Sequence, residues 1–224
     1  MTSQPIVLPP ATPSELLSYI ISYHRYPTTL IIGSSKSEFH ASLIEDIGHH
    51  FNINDEQQQE DGLKDSTTTS ASHGLLKAPL YQIAISRHIR ILFAPTVTHL
   101  RAYLSVFTPN DSPISAPPNH KPSSCAPLLL IYGLLALHRD ASEWSAQGIG
   151  NSAALLVDAA SRNAFRAAII EPKAIGGHED LDYIGGELVP LLNGTMKKDD
   201  GSWSGRTVGI KQVLNRWFEF EIQD

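Results

Sequence analysis

The feature that most constrains the fold is a set of short runs with no polar face: Thr28–Ile32 (TTLII), Leu128–Tyr132 (LLLIY) and residues 167–170 (AAII). A strand with one wet face alternates apolar and polar residues, so a run that is apolar throughout reads as a strand covered on both sides. Helical spacing separates these runs. Phe39, Leu43, Ile44 and Ile47 follow the first; Val97, Leu100, Leu104 and Phe107 follow Ile89–Phe93 (IRILF); Leu155, Leu156, Ala159 and Ala160 precede the last, on a helix expected from Asn151. Strands alternating with helices give an α/β fold with a mostly parallel sheet flanked by helices. Residues 80–85 and 89–93 are expected to form one or two strands. Val208 and Ile210, then Trp217 and the period-two WFEFEI, are expected to close the sheet edge as a C-terminal antiparallel hairpin.

An N-terminal helix is announced by Thr12 as cap, Pro13 in the first turn and Glu15 at capping-box spacing, with Leu16, Leu17, Ile20 and Ile21 on one face. Two stretches break the pattern. Residues 54–78 are polar and of low complexity, residues 108–126 are rich in proline and serine, and both are expected to be flexible loops. A chain of 224 residues with 42% hydrophobic composition otherwise suits a single domain over 1–224. Cys125 is the only cysteine, which excludes an intramolecular disulfide framework and points to a reducing compartment. No apolar run reaches the ~18 residues of a spanning helix, so no membrane role is expected. A net charge of −6 argues against a surface that binds nucleic acid throughout.

The stretch LIIGSSKS has the outline of a phosphate-binding loop: an apolar strand, Gly33, the small polar residues Ser34 and Ser35, then Lys36 and Ser37. A working loop needs G-x-x-x-x-G-K-S/T, because a longer glycine-bearing turn must wrap N–H groups around the phosphates before lysine and hydroxyl reach them. Here the lysine comes too soon after Gly33 and the second glycine is missing. At the end of the later apolar strand, Tyr132 stands where an acid would hold the metal. Three readings stay open: a polar turn capping a helix, a degenerate loop that binds nothing, or an atypical ATPase site. No nucleophile–base pairing or metal-ligand spacing is apparent elsewhere, so no cofactor, no metal and no catalysis are expected. Arg87, Arg90 and Arg101 near IRILF could form a small positive patch, and Trp217, Phe218 and Phe220 in the tail are either a partner surface or half-buried core.

In their order these features resemble the RecA/recombinase superfamily. A helix precedes the loop-like LIIGSSKS, IRILFAPTVTHLRAYLSVF resembles the strand and helix leading to the second nucleotide motif, and APLLLIYGLLALH occupies the place of that motif; AAIIEP and the closing GRTVGIKQVLNRWFEFEI follow in turn. The resemblance covers most of the chain from Thr28 to Ile222. The lost glycine, the short spacing and Tyr132 fit its degenerate, non-catalytic paralogues, of the Shu-complex or SWIM-partner type. That resemblance implies a single RecA-like domain, a heterodimer with another RecA-like or SWIM-domain protein, single-stranded DNA contacted through the complex, a role in homologous-recombination repair, and a nuclear location. The RecA-like subunits of elongator, which act in tRNA modification and would place the chain in the cytoplasm, resemble it in the same way.

Overall fold

The computed structural model describes residues 4–23, 26–60, 80–118, 126–139, 141–174, 181–193, 201 and 203–221, with residues 23 and 51–60 described as backbone only. Its strands are β1 (Ile6–Val7), β2 (Thr28–Ile32), β3 (Ile89–Phe93), β4 (Leu128–Tyr132), β5 (Arg166–Ile170), β6 (Leu188–Pro190), β7 (Thr207–Gly209) and β8 (Glu219–Phe220). The helices are α1 (Pro13–Tyr23), α2 (Lys36–Glu60), α3 (Leu80–Ser86), α4 (Val97–Ser105), α5 (Leu134–Arg139), α6 (Ala146–Arg162), α7 (Leu181–Gly186) and α8 (Ile210–Leu214). Six strands form one parallel sheet in the order β3-β2-β4-β5-β1-β8, while β6 and β7 pair antiparallel as a separate ribbon.

The apolar runs are buried on both sides, as their lack of a polar face requires. Leu30, Ile32, Leu128, Leu130, Tyr132, Ala168 and Ile170 pack under α1 and α2, against Leu16, Ile20 and Phe39. The alternate residues Ile31, Leu129, Ile131, Ala167 and Ile169 pack on the other face against α4, α5, α6 and α8. The connections after β1 and β2 lead to the first face, whereas those after β4 and β5 lead to the second. The carboxyl ends of these strands therefore meet where the chain diverges to opposite faces, the place where open parallel sheets bind ligands.

Several expectations need correction. Residues 80–85 are helix α3, because the return from α2 to the start of β3 ends on that helix, with Ile85 packed against the α1 side of the core. Of the expected C-terminal hairpin, Val208 does lie in an antiparallel strand, β7, but its partner is β6; Ile210 opens α8, which turns the chain so that β8 enters the sheet parallel to β1. Helix α2 continues to Glu60, into the stretch expected to be a loop from 54; residues 61–79 lie outside the described residues. In the second expected loop, Pro109–Asp111 form a single 3-10 turn and the Ser115 carbonyl lies 2.8 Å from His88 Nδ1, while residues 119–125, with Cys125, lie outside the described residues. Helix α6 starts at Ala146 and not at Asn151. Ser145 caps it by accepting the Gly148 N–H, and Gly148 is in place because a Cβ there would lie 2.2 Å from the Glu143 carbonyl oxygen. Among the described residues no helix is long and apolar enough to cross a membrane.

Candidate functional site

The carboxyl edge of the sheet gathers three strand-to-helix turns. The turn after β2 holds the residues that outline a phosphate loop. Gly33 donates its N–H to the Tyr132 carbonyl at 2.8 Å, and a Cβ on it would lie 2.6 Å from the Gly133 carbonyl oxygen. Glycine is required here by the close approach of the neighbouring turn. Ser35 then closes a reciprocal capping box: its N–H donates to Glu38 Oε2 at 2.8 Å and its hydroxyl accepts the Glu38 N–H at 3.2 Å. Those hydrogen bonds hold the Glu38 carboxyl below its ordinary range. The Ser37 hydroxyl bonds that of Ser35 at 3.0 Å, the Ser34 hydroxyl donates to the Ser35 carbonyl, and Lys36 is exposed in the first turn. A carboxylate already sits where this helix terminus would meet a phosphate.

Strand β1, two residues long and flanked by prolines, gives almost no periodic signal in the sequence, so only the capping box of Thr12 and Glu15 marks the turn that follows it. That turn carries the most developed polar cluster on this edge. Thr12 N–H donates to Glu15 Oε2 at 2.9 Å and Glu15 N–H to the Thr12 hydroxyl at 3.4 Å, the expected capping box. The Ser14 N–H donates to Asp46 Oδ2 at 2.8 Å across 32 positions of sequence. Asp46 comes from α2 and is 1% exposed. Burial alone would raise its carboxyl, but hydrogen bonds from the Ser14 N–H and hydroxyl and from the Thr12 hydroxyl, with His50 nearby, outweigh burial and hold it low. The buried side of α2 thus includes Phe39 and Asp46, while Ile44, expected to face inward, is 72% exposed. The N-terminus of α1 is satisfied by a carboxylate of the chain itself.

The third turn follows β4. Tyr132 fills its site with a buried ring, and its hydroxyl donates to the Ala11 carbonyl at 2.9 Å, tying β4 to the β1 turn. Burial, reinforced by the carboxylates of Glu171, Asp46 and Glu15, pushes the phenol well up, so it remains a donor and supplies no anionic oxygen for a metal. At the end of β5, Glu171 accepts the Leu135 N–H at 2.8 Å and the Ala136 N–H at 3.2 Å, stopping the start of α5. It is 6% exposed, and burial raises its carboxyl to about 7 against those bonds. Glu171 lies at the wall of a cavity of about 660 Å³ between α5 and α7, beside Arg139, which holds Glu187 through two bonds of 2.6 and 2.7 Å.

The proposed arginine patch is dispersed. Arg101 pairs with Glu143, donates to the Ser152 hydroxyl at 2.9 Å and to the Gly148 carbonyl at 2.8 Å, and so serves the packing of α4 on α6. His138 completes that network. Burial lowers its pKa, so the neutral ring donates from Nδ1 to the Leu134 carbonyl and accepts the Ser152 hydroxyl at Nε2. Arg90 stacks over Tyr103, 5.4 Å from the ring centroid, and Arg87 is exposed in the turn before β3. The tail aromatics divide in the same way: Phe218 is core at 3% exposed, Phe220 is half-buried, and Trp217 is 41% exposed. No family model matches this chain, and no curated protein matches it in sequence.

Proposed function

We propose that the chain is a non-catalytic, RecA-like accessory subunit of homologous-recombination repair that acts in a heterodimer. One observation supports the non-catalytic half: the helices that open at the carboxyl edge after β1, β2 and β5's neighbour β4 are each stopped by a carboxylate of the chain, from Asp46, Glu38 and Glu171. A triphosphate would have to displace these side chains from the N–H groups that bind phosphate in a working site, at a cost in lost hydrogen bonds and, at Asp46 and Glu38, in charge repulsion. With Tyr132 in place of a metal-holding acid and Lys36 turned to solvent, phosphoryl transfer has neither its cradle nor its cation. The recombination half rests on the order of motifs in the sequence, which resembles the degenerate recombinase paralogues. A subunit of that kind contributes surfaces, and its partner or the recombinase filament contributes the contacts to single-stranded DNA.

The experiment that tests this reading is recovery of the tagged chain from its own cell extract with identification of stoichiometric companions. A recombinase, a recombinase paralogue or a SWIM-domain protein is the expected outcome. Recovery with tRNA-modification subunits instead, or as a free monomer, would contradict it.

A further inference from the structure

The six-stranded sheet ends on β8, and among the described residues no strand pairs with its outer side. Glu219 and Glu221 donate their N–H groups inward, to the carbonyls of Pro5 and Val7, each at 3.0 Å. Strand geometry then turns the N–H and C=O of Phe220 outward. Among the described residues no backbone group pairs with them. Alongside runs a groove of about 580 Å³ whose lining includes Gln4, Lys211, Arg216, Trp217, Glu219 and Phe220. The Lys211 ammonium lies 5.6 Å from the Phe220 ring centroid and is paired with Asp182. Glu219 and Glu221 alternate with Phe220 along the strand, both are exposed, and neither forms an ion pair among the described residues.

This pattern selects the occupant. A second copy of the chain could extend the sheet across a two-fold axis normal to it, but every register centred on Glu219, Phe220 or Glu221 sets a glutamate directly opposite a glutamate. Like charges in that relation destabilise the pair. A strand from a different protein avoids this if its residues opposite Glu219 and Glu221 are basic. Its intervening residue shares the face of Phe220, where the Trp217 and Phe220 rings favour an apolar side chain. We propose that the β8 edge receives an extended segment of a partner protein with a basic–apolar–basic alternation. The proposal rests on reading the chain as an interaction subunit and names the chemistry of one contact that subunit makes.

The test uses three acetylated peptides of about nine residues, the length of a long strand: alternating lysine and valine, alternating glutamate and valine, and the lysine peptide with N-methylated valines. Binding is followed by calorimetry on the full chain and by fluorescence, with Trp217→Phe identifying the responding ring. The lysine peptide is expected to bind saturably and about tenfold tighter than the glutamate peptide, the ratio that two exposed ion pairs supply. The double variant Glu219→Lys, Glu221→Lys is expected to reverse that preference, and N-methylation to remove binding by both proteins. Binding that ignores N-methylation would reduce the effect to attraction by the overall negative charge and overturn the proposal. So would an unchanged preference in the double variant, or no saturable binding of the lysine peptide. If a stoichiometric cellular partner is recovered equally by wild type and the double variant, the accessory-subunit reading survives and the edge contact alone falls.

Discussion

Replacing Asp46 by alanine tests how much the fold depends on its own carboxylate at the start of α1. The wild-type side chain is buried and accepts the Ser14 N–H at 2.8 Å, and Ser14 is itself 1% exposed, so alanine leaves a buried donor without its partner. A hydrogen bond to a charged group is worth about 1.5–3 kcal/mol, and the favourable charge at the helix N-terminus adds roughly 0.3–1 kcal/mol. The expected loss is therefore roughly 2–4 kcal/mol. For a domain of this size that is a fall in Tm of roughly 4–16 °C, read by calorimetry or circular dichroism. The sign of the pH dependence follows from the lowered carboxyl. A group whose folded pKa lies below its unfolded value stabilises the fold above the unfolded value, and that contribution is lost as pH falls through the folded one. The gap between wild type and Asp46→Ala is thus full at neutral pH and closes in acid, below about pH 4. Melting of the variant within about 1 °C of wild type at pH 7, or a gap that persists undiminished at about pH 2, would refute the reasoning.

Glu171 is expected to behave in the opposite sense. Its folded pKa is raised to about 7, so between about 4.5 and 7 the native state holds a proton that the unfolded state has released, and stability falls as pH rises through that window. Glu171→Gln removes this titration, and the difference between wild type and variant across the window, at most about 3 kcal/mol, is measured by urea unfolding at fixed pH values. Phe218→Ala should cost about 3–5 kcal/mol as a core truncation, whereas Trp217→Ala, half in solvent, should cost about 1–2 kcal/mol and act mainly on partner affinity; equal destabilisation by both would place Trp217 in the core. Lys36→Ala, at an exposed first-turn position, should leave stability within about 0.5 kcal/mol of wild type in urea unfolding.

The α/β class, four of the strands and the helix α4 were readable because each is announced by a local pattern. TTLII and LLLIY have no polar face, and Val97, Leu100, Leu104 and Phe107 repeat at helical spacing and are all buried. The capping box at Thr12 and Glu15 is likewise local, and it forms as its spacing demands. What escaped is set by distant contacts. Nothing near Asp46 distinguishes it from any polar residue on a helix, and the apolar repeat favours Ile44 for the inward face; only the approach of α1, 32 positions away, reverses the two. Gly33 invites a phosphate reading in sequence, yet its reason is the Gly133 carbonyl oxygen, which would be 2.6 Å from a Cβ. Strand β1 carries two residues and takes its meaning from β5 and β8 on either side. The tail alternates as a strand should, but its direction was decided by α8, which a period-two pattern does not encode.

The central claim is that this edge of the sheet, with its helix starts occupied by Asp46, Glu38 and Glu171, does not bind nucleotide. The most direct measurement is isothermal titration of the full chain with magnesium and ATP, up to about 1 mM, where an affinity of roughly −4 kcal/mol would still register. The account predicts no saturable heat, in wild type and in Lys36→Ala alike. Saturable binding that Lys36→Ala abolishes would contradict it and return the turn after β2 to the role of a nucleotide site.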